Sequence, residues 1–469
     1  MKKMDQKINL RYLMGISLVS AMGGLLFGYD WVVIGGAKPF YEIYFGITEL
    51  PAMQGWAMSS ALVGCLAGVL VSGAWSDRNG RKKLLIAAAL LFLVSGFGTG
   101  LANSFLLFIF YRIVGGIGIG IASNLSPMYI AEVAPATSRG RYVSINQLTI
   151  VIGILAAQLV NWLIADRVAV DATPEQILHS WNGQMGWRWM FWAENVPAFL
   201  FLVLMFWVPE SPRWLASVGQ DGKSRDIFHH IGGADYADKE LKQVKASLAA
   251  APKEDFGFLW KPQMRKVLIV GLFVAVFQQW CGINVIFNYA QEVFSAAGYA
   301  VSDILFNIVV TGITNVVFTI VGMYTVDRLG RRALMLMGAS MLAVIYLLMG
   351  IFYYMQVSGF ALLLLVMAAI AVYGMTLAPV TWVLLSEIFP NKIRGAAMAV
   401  STFALWSACF VLTYTFPILN NLLNAYGTFW LYGAICLFGF VFFGENIARD
   451  KRKIARKTGR TNGWSHIKN

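Results

Sequence analysis

Three ionisable residues lie within long apolar stretches of this sequence: Asp30, Arg112 and Glu194. An ionisable side chain in an apolar span is energetically costly and is a functional candidate by default. Burial favours the neutral form of a carboxyl group, whereas a nearby arginine favours the ionised form. If Arg112 moved relative to Asp30, the aspartate would hold a proton in one state and release it in the other. These residues predict proton coupling, and a fixed neutralising ion pair is the alternative.

Uncharged amides form a second candidate set near the middle of apolar stretches: Gln278, Gln279, Asn284 and Asn315. Amides both donate and accept hydrogen bonds, as the hydroxyl groups of a sugar require, and a tryptophan such as Trp406 offers a flat face to its C–H groups. Gln278 and Asn284 would not share one face of a regular helix, so we expect a break at Gly282 between them. Amides that only bridge neighbouring helices are the alternative interpretation.

The elements that carry these residues are predicted to be membrane helices. Of the 469 residues, 58% are hydrophobic and 13% are charged, and the mean hydropathy is +0.63. This composition excludes a disordered chain, a coiled coil, a collagen and an ordinary soluble enzyme. An all-α polytopic membrane protein is predicted, because apolar stretches long enough to span a bilayer recur throughout. The twelve predicted spans are 10–35, 52–75, 83–103, 105–133, 142–165, 188–208, 266–295, 302–326, 332–355, 360–386, 395–423 and 427–447.

The basic residues predict the orientation. With the N-terminus in the cytoplasm, 33 of the 37 lysines and arginines lie in the inner segments, and Lys38 and Arg167 fall in outer loops. The positive-inside rule therefore places both termini in the cytoplasm, and it explains the formal charge of +13 without nucleic acid. In this orientation Asp30, Arg112 and Glu194 lie at a similar depth in the outer half of their spans.

Two motifs occur twice, in the same order. Residues 77–82 read DRNGRK and residues 327–332 read DRLGRR, while E-x-x-P-x-x-x-R-G fits both 132–140 and 387–395. We therefore predict two parallel six-helix halves related by an axis along the membrane normal. The predicted domains are an N-terminal bundle (1–208), an intracellular helical linker (209–262) and a C-terminal bundle with a cytoplasmic tail (263–469).

The repeated charges predict a cytoplasmic gate, whose ion pairs form in one conformation and separate in another. We expect Glu132 and Glu387, at the ends of spans 4 and 10, to lie close to the arginines that follow them in each motif. Static anchoring of the topology is the alternative. The predicted gate combines residues at the repeated motifs with Glu210 and Arg213 of the segment after span 6. It consists of Asp77, Arg78, Arg81, Glu132, Arg139, Arg141, Glu210, Arg213, Asp327, Arg328, Arg331, Glu387 and Arg394.

Several longer motifs carry a family resemblance. They are GGLLFGYD (23–30), YRIVGG (111–116), PESPR (209–213), QQ with GIN (278–284), and PVTW (379–382). Through them the chain resembles the sugar porters of the major facilitator superfamily, and most closely the bacterial D-xylose–proton symporters among them. The resemblance implies that Asp30, Arg112 and Glu194 couple the proton. It also implies that Gln147, Gln278, Gln279, Asn284, Asn315 and Trp382 hydrogen-bond the sugar, and that Phe27, Tyr289 and Trp406 line the cavity.

Some positions depart from the family pattern. Asn288-Tyr289 replaces a tandem tyrosine, Ala378 replaces a glycine, and Ile154 stands where the xylose symporters carry a glutamine. The tail also lacks a PETKG motif after the last span. The central amides are kept while polar groups at the edge of the pocket are lost, which leaves the identity of the sugar open.

The sequence thus predicts proton-coupled import of a neutral monosaccharide, a pentose such as D-xylose or a related hexose, by alternating access. A proton-independent uniporter is the first alternative, followed by a sugar-sensing receptor; an efflux carrier and a membrane enzyme fit less well. We expect no cofactor, metal site or catalytic residue. The expected partners are the monosaccharide, the proton and the lipid bilayer. We expect a monomer in the cell (inner) membrane.

Overall fold

The computed structural model describes residues 8–169, 172–249, 262–296, 298, 301–357, 359–389 and 394–457. Every regular element in these ranges is helical, with one π-helical turn at Asn182–Gly186. The α-helices are α1 (Leu10–Phe45), α2 (Pro51–Asn79), α3 (Arg81–Leu101), α4 (Phe105–Val133), α5 (Arg139–Ile164), α6 (Pro174–His179), α7 (Trp187–Ala193), α8 (Asn195–Met205), α9 (Pro212–Ser217), α10 (Asp221–Gly232), α11 (Ala234–Ala249), α12 (Pro262–Trp280), α13 (Ile283–Asn288), α14 (Ala290–Ser295), α15 (Val301–Leu329), α16 (Arg331–Tyr354), α17 (Phe360–Met375), α18 (Leu377–Ile388) and α19 (Arg394–Lys457).

Ten helical segments of the described chain are long and apolar enough to cross a membrane. The last of them, Ala396–Asn446, has 51 residues, and non-helical backbone at Asn424 divides it into two passes. The shorter helices α7 and α8 follow one another through the sixth apolar stretch. The described residues therefore account for twelve passes.

The first helix is longer than the sequence indicates. α1 continues to Phe45 and ends at Gly46, whose left-handed backbone (φ 66°) lets its N–H bond the carbonyls of Glu42 and Ile43. The expected end at residue 35 and the placement of Lys38 in an outer loop are therefore wrong. Lys38 is a buried residue of the helix, because it pairs with Glu42 one turn further along and with Glu292, which is distant in the sequence.

Several passes are interrupted within the apolar stretch. The seventh breaks at Gly282 (φ 85°), as predicted, so that α12 ends and α13 begins on either side of this residue. The tenth breaks at Thr376, three residues before Pro379. Proline lacks the N–H that would bond the carbonyl four residues earlier, and its ring crowds that carbonyl.

The described chain forms two compact units. Unit 1 contains 1–254 with 284–316 and 406–422, and unit 2 contains 255–283, 317–405 and 423–469. The first unit thus combines the first six passes with segments of the seventh, eighth and eleventh.

Close backbone approach at glycines holds the helices of unit 1 together. A Cβ on Gly28 of α1 would lie 2.0 Å from the carbonyl oxygen of Ile150 in α5. A Cβ on Gly116 of α4 would lie 1.9 Å from the carbonyl oxygen of Ala61 in α2. Small residues at such contacts are typical of membrane helices, whose association depends on packing rather than on exclusion of water.

Unit 2 packs through aromatic side chains. The ring of Phe273 in α12 lies 3.7 Å, centroid to centroid, from that of Phe442 in α19, and Phe277 packs edge-on against Phe443. A Cβ on Gly338 of α16 would meet the side chain of Thr376 at 2.4 Å, so the interruption in the tenth pass sits against a glycine.

Three short helices, α9 to α11, cover one face of unit 1. The N–H of Asn9, which precedes α1, bonds the carbonyl of Ile231 in α10, and the indole N–H of Trp214 in α9 bonds the carbonyl of Asp77 in α2. The beginning of α1 and the α2–α3 turn thus lie at the same face, which we call the N-terminal face.

Replacing Gly116 with alanine is expected to destabilise the protein. The new methyl group would meet backbone rather than a movable side chain, and overpacking of this kind costs about 1–3 kcal/mol. Gly15→Ala in α1 is the matched control, because nothing lies within 4 Å of its Cβ position. Thermal unfolding of the detergent-purified protein should show a lower Tm for Gly116→Ala alone. Equal transitions for the two variants would contradict the packing described.

Candidate functional site

A buried ion pair joins two helices of unit 1. Arg112 of α4 pairs through its guanidinium with the carboxylate of Asp30 in α1, and a second N–H reaches the Asp30 carbonyl oxygen at 3.3 Å. Both side chains are buried. Gly115, one turn beyond Arg112, leaves room for the carboxylate, since a Cβ there would lie 2.9 Å from Asp30 Oδ2. The structure therefore brings together the first two residues of the predicted proton site.

Glu194 completes this group. It lies at the junction of α7 and α8, is buried, and interacts electrostatically with both Asp30 and Arg112. Asp30 Oδ2 and Glu194 Oε1 are buried without a hydrogen-bond partner among the described residues. Among the described residues Arg112 forms an ion pair with Asp30 only, and it acts on Glu194 through the longer-range electrostatic interaction. With both carboxyl groups ionised the group carries a formal charge of −1, and one bound proton brings it to zero.

An aromatic cluster lies beside Asp30, with two members on α1 and one on α19. The rings of Phe27, Trp31 and Trp406 have centroids 5.7–6.1 Å apart. Two of the three were predicted as cavity-lining residues. Trp31 was not, although it directly follows Asp30; it is recognisable only once the eleventh pass is seen to bring Trp406 against α1.

The predicted sugar-binding amides of unit 1 lie on three helices. Gln147 is half-buried on α5, Asn284 lies in the first turn of α13, and Asn315 is buried on α15. The amide nitrogen of Asn284 lies 3.6 Å from the sulfur of Cys409. The sugar-binding roles of these residues stay predictions.

Tyr289 occupies the junction of α13 and α14. Its side chain is fully buried, its hydroxyl donates to the carbonyl of Thr413 at 2.6 Å, and its ring packs against Phe416 at 4.5 Å. This residue therefore ties the seventh pass to the eleventh in unit 1. Its predicted cavity-lining role stays a prediction.

The predicted sugar-binding residues of unit 2 lie on α12 and α18. The side-chain amide nitrogen of Gln279 donates to the side-chain oxygen Oε1 of Gln278. The Gln278 amide nitrogen in turn donates to the hydroxyl of Tyr373, and each bond is 2.5 Å long. Tyr373 is a polar partner that sequence reasoning missed. Trp382 on α18 is 38% exposed, so its indole is available on the surface of its unit.

The predicted gate residues of the first half of the chain have a defined bonding pattern at the N-terminal face. Arg81 makes two bonds of 3.1 Å to the carboxylate of Glu132 and a longer one of 3.3 Å to Asp77. Glu210 accepts the backbone N–H groups of Arg81 and Lys82 and so caps the start of α3.

The glycine of this motif has a steric role. Gly80 precedes α3 with φ 87°, and a Cβ there would lie 2.2 Å from Glu210 Oε2. Only glycine suits both the backbone conformation and the approach of the carboxylate.

The expected partner of Glu132 was wrong. In the described chain it bonds Arg81 and the hydroxyl of Ser211, and forms no ion pair with Arg139 or Arg141. These two arginines lie in the first turn of α5 and are exposed. Arg78 and Arg213 are exposed as well.

The corresponding pair of unit 2 is more open. Arg331 lies 3.2 Å from Glu387, whose side chain is 51% exposed, compared with 10% for Glu132. Arg328 is exposed. The side chains of Asp327 and Arg394 lie outside the described residues.

A second buried charge group lies at the far end of α1 and escaped the sequence analysis. The ammonium of Lys38 pairs with Glu42 at 2.9 Å and also with Glu292 of α14. The amide of Gln54 reaches the second oxygen of Glu42 at 3.3 Å. The i, i+4 spacing of Lys38 and Glu42 was the available signal, but nothing in the sequence joins Glu292 to them.

Arg188 is also buried, and it caps a helix. Its guanidinium donates to the carbonyls of Gly100 at 2.6 Å and Ala102 at 2.9 Å, at the end of α3, and stacks on Trp187 at 4.4 Å. A cation at a helix C-terminus satisfies free carbonyls and complements the helix dipole. Its role in this structure is therefore structural.

The comparisons with known proteins agree with this architecture. A family model described as "Sugar (and other) transporter" matches residues 16–446. The chain belongs to this sugar transporter family. It is 38% identical to the D-xylose-proton symporter of Escherichia coli K12, with 96% of each chain covered. It is also 34% identical to the arabinose-proton symporter of Bacillus subtilis, with 95% of this chain and 94% of that one covered.

A solved structure extends the similarity to the fold. The sugar transporter matches the xylose transporter of E. coli in a partially occluded inward open conformation with a TM-score of 0.81 and 35% identity, covering 93% of this chain and 99% of that one. The prediction of an all-helical membrane protein with the major facilitator fold is confirmed.

In this transporter the Lys38 group should be important for stability. Lys38→Met would leave two acidic side chains without their buried cation, and breaking a buried pair from one side costs about 3–5 kcal/mol. We expect a clear fall in Tm, partly recovered in Lys38→Met/Glu292→Gln. Glu49→Gln is the control, because Glu49 is exposed and lies shortly after the end of α1. A Tm for Lys38→Met equal to that of the control would show that the group contributes nothing to stability.

Proposed function

We propose that the protein imports a neutral monosaccharide together with a proton, by alternating access. The observation that carries this proposal is the buried group of Asp30, Arg112 and Glu194, which has one positive charge for two carboxyl groups. Transfer of an unbalanced charge through an apolar environment is costly. A proton balances the group, so the protonated form suits the step in which the substrate crosses.

The energy available to such coupling is sufficient for accumulation. One charge moving through a potential of ~100 mV is worth ~2.3 kcal/mol, and one pH unit adds ~1.4 kcal/mol. Since every 1.4 kcal/mol is tenfold, one proton per sugar supports a concentration ratio on the order of several hundredfold.

For the sugar itself, the aromatic cluster of Phe27, Trp31 and Trp406 offers flat faces beside the proton group. Asn284, Asn315 and Gln147 offer uncharged donors and acceptors in the same unit, as a polyol requires. We assign sugar binding to these residues, and a sugar-binding role for Gln278, Gln279 and Trp382 follows from the family motifs. The relatives named for D-xylose and arabinose favour a pentose such as D-xylose, with a related hexose as the alternative.

We further propose that both termini lie in the cytoplasm and that the N-terminal face is the cytoplasmic one, because the basic residues are concentrated there. The domains are those predicted from the repeat, 1–208, 209–262 and 263–469, and the protein acts as a monomer in the cell (inner) membrane. Arg81 and Glu132 then belong to a cytoplasmic gate, whose ion pair exists in one state of the cycle and breaks in the other.

One observation favours a second function. The direct bond between Arg112 and Asp30 is also what a permanent neutralising pair would show, and a uniporter on the same scaffold would need nothing more. The two functions differ in whether Asp30 exchanges a proton during each cycle.

The variant Asp30→Asn is expected to abolish accumulation while leaving equilibration of labelled sugar. An asparagine cannot carry the proton, but it keeps the shape of the side chain. The measurement is external pH after sugar is added to lightly buffered, de-energised cells, first with D-xylose and then with other pentoses and hexoses. Asp166→Asn is the control, because this exposed residue contributes only its backbone to the described hydrogen bonds.

Alkalinisation with one sugar in the wild type and the control, and its loss in Asp30→Asn, is the expected result. If the wild type equilibrates labelled sugar without any pH change, symport is wrong and the uniporter remains. If Asp30→Asn still alkalinises, the proton is carried elsewhere.

Trp406 is expected to contribute an aromatic face to the sugar. Trp406→Ala should raise KM for uptake about tenfold, equivalent to ~1.4 kcal/mol, whereas Trp406→Phe should retain most of the affinity. Initial rates of labelled-sugar uptake give KM and kcat for each variant. Trp75→Ala, at a 55% exposed tryptophan of α2, is the control. If Trp406→Ala changed kcat with no change in KM, the residue would not bind the sugar.

A further inference from the structure

A cleft opens on the N-terminal face of unit 1, beside the carboxylate of Glu210 that caps α3. It has a volume of about 620 Å³ and lies between the start of α3, the segment after α8, and helices α9 and α10. Its lining residues are Lys82, Lys83, Ile86, Glu210, Trp214, Leu215, Gln220, Lys223, Asp226 and Ile227. Neither the proton group nor the sugar-binding residues contribute to it.

The charges of the cleft favour an anion. Three lysines face two acidic residues, and one of these, Glu210, already accepts N–H groups at the start of α3. The ammonium of Lys82 is held in place by the carbonyl of Phe206 at 2.8 Å. Lys83 and Lys223 are exposed and stand on α3 and α10. The lining residues of the cleft thus carry a net positive charge of one.

Apart from Gln220, the rest of the lining is apolar, and exposed aromatic residues lie beside it. Ile86, Leu215 and Ile227 line the cleft. At the end of α8, Phe206 and Trp207 are 61% and 74% exposed. Large aromatic residues at this position are typical of the boundary between the hydrocarbon core and the headgroups. A ligand in the cleft can therefore place a charged group among the lysines and an acyl chain along the protein surface.

We propose that this cleft binds the headgroup of an anionic phospholipid of the cytoplasmic leaflet. The leaflet follows from the orientation in the proposed function. Lysines at a membrane surface attract anionic lipids, and basic pockets beside membrane helices can hold such headgroups. The bound phosphate would link α10 to α3, next to the Arg81–Glu132 pair, and so would brace the short helices against the membrane bundle.

The test is native mass spectrometry of the detergent-purified full chain, titrated with dioleoylphosphatidylglycerol or with dioleoylphosphatidylcholine. Lys83→Gln/Lys223→Gln removes two lysines of the cleft and spares Lys82, which bonds backbone. Lys239→Gln/Lys242→Gln on α11 removes the same charge from exposed positions outside the cleft. The measurement uses no sugar and no proton gradient, so its outcome is independent of the proposed transport.

We expect the wild type and the α11 variant to prefer phosphatidylglycerol over phosphatidylcholine. In the cleft variant the affinity for phosphatidylglycerol should fall on the order of fivefold for each lysine removed. It should then equal the affinity for phosphatidylcholine. Retained preference in the cleft variant, or none in the wild type, would overturn the proposal. So would displacement of the lipid by glycerol 3-phosphate at millimolar concentration, because the cleft would then be a site for a soluble phosphate. Thermal unfolding of the purified cleft variant, compared with the wild type, checks that it is folded.

Discussion

Charge balance in an apolar environment is the constraint on which the rest of this structure depends. Water is not available within the bilayer core, so backbone groups must be bonded within the chain and charges must meet partners. Arg112 meets Asp30, Lys38 meets Glu42 and Glu292, and Arg188 meets the free carbonyls at the end of α3. Each buried cation thus fixes the relative position of the segments that contribute to it. The Asp30 and Lys38 groups each have one carboxyl group more than their cation can neutralise. The Asp30 group differs because all three of its side chains are buried, whereas the Glu292 side chain of the Lys38 group is 25% exposed.

The helix interruptions have a related explanation. Backbone that leaves the helical conformation inside a membrane protein must be covered by protein. The break at Gly282 lies against Tyr432, whose side chain would be 2.8 Å from a Cβ at that position, and the break at Thr376 lies against Gly338. Glycine and proline set where these passes break, and packing within the unit makes the breaks tolerable. The broken seventh pass presents its amides from two short helical ends rather than from one continuous face.

The two halves of the chain share motifs but use them differently. In the first half, Glu210 caps α3 and the Arg81–Glu132 pair is largely buried, with both side chains 10% exposed. In the second half, Arg331 and Glu387 are 29% and 51% exposed. A pair screened by water contributes less than one that is shielded. The repeat therefore conserves the type of contact, and the pair of the first half is the more shielded one.

The sequence by itself determined the membrane class, the number of passes, the break at Gly282 and the common depth of Asp30 and Arg112. These follow from hydropathy, from glycine and from the fixed rise of a helix, which are local properties. Only the tertiary structure decided that Glu132 bonds Arg81, that Trp31 joins Phe27 and Trp406, and that Glu292 reaches Lys38. Those partners are far apart in the chain, and the choice among many equally charged or aromatic candidates depends on which helix faces touch. Local patterns carry no information about that choice, because it is made by packing between segments.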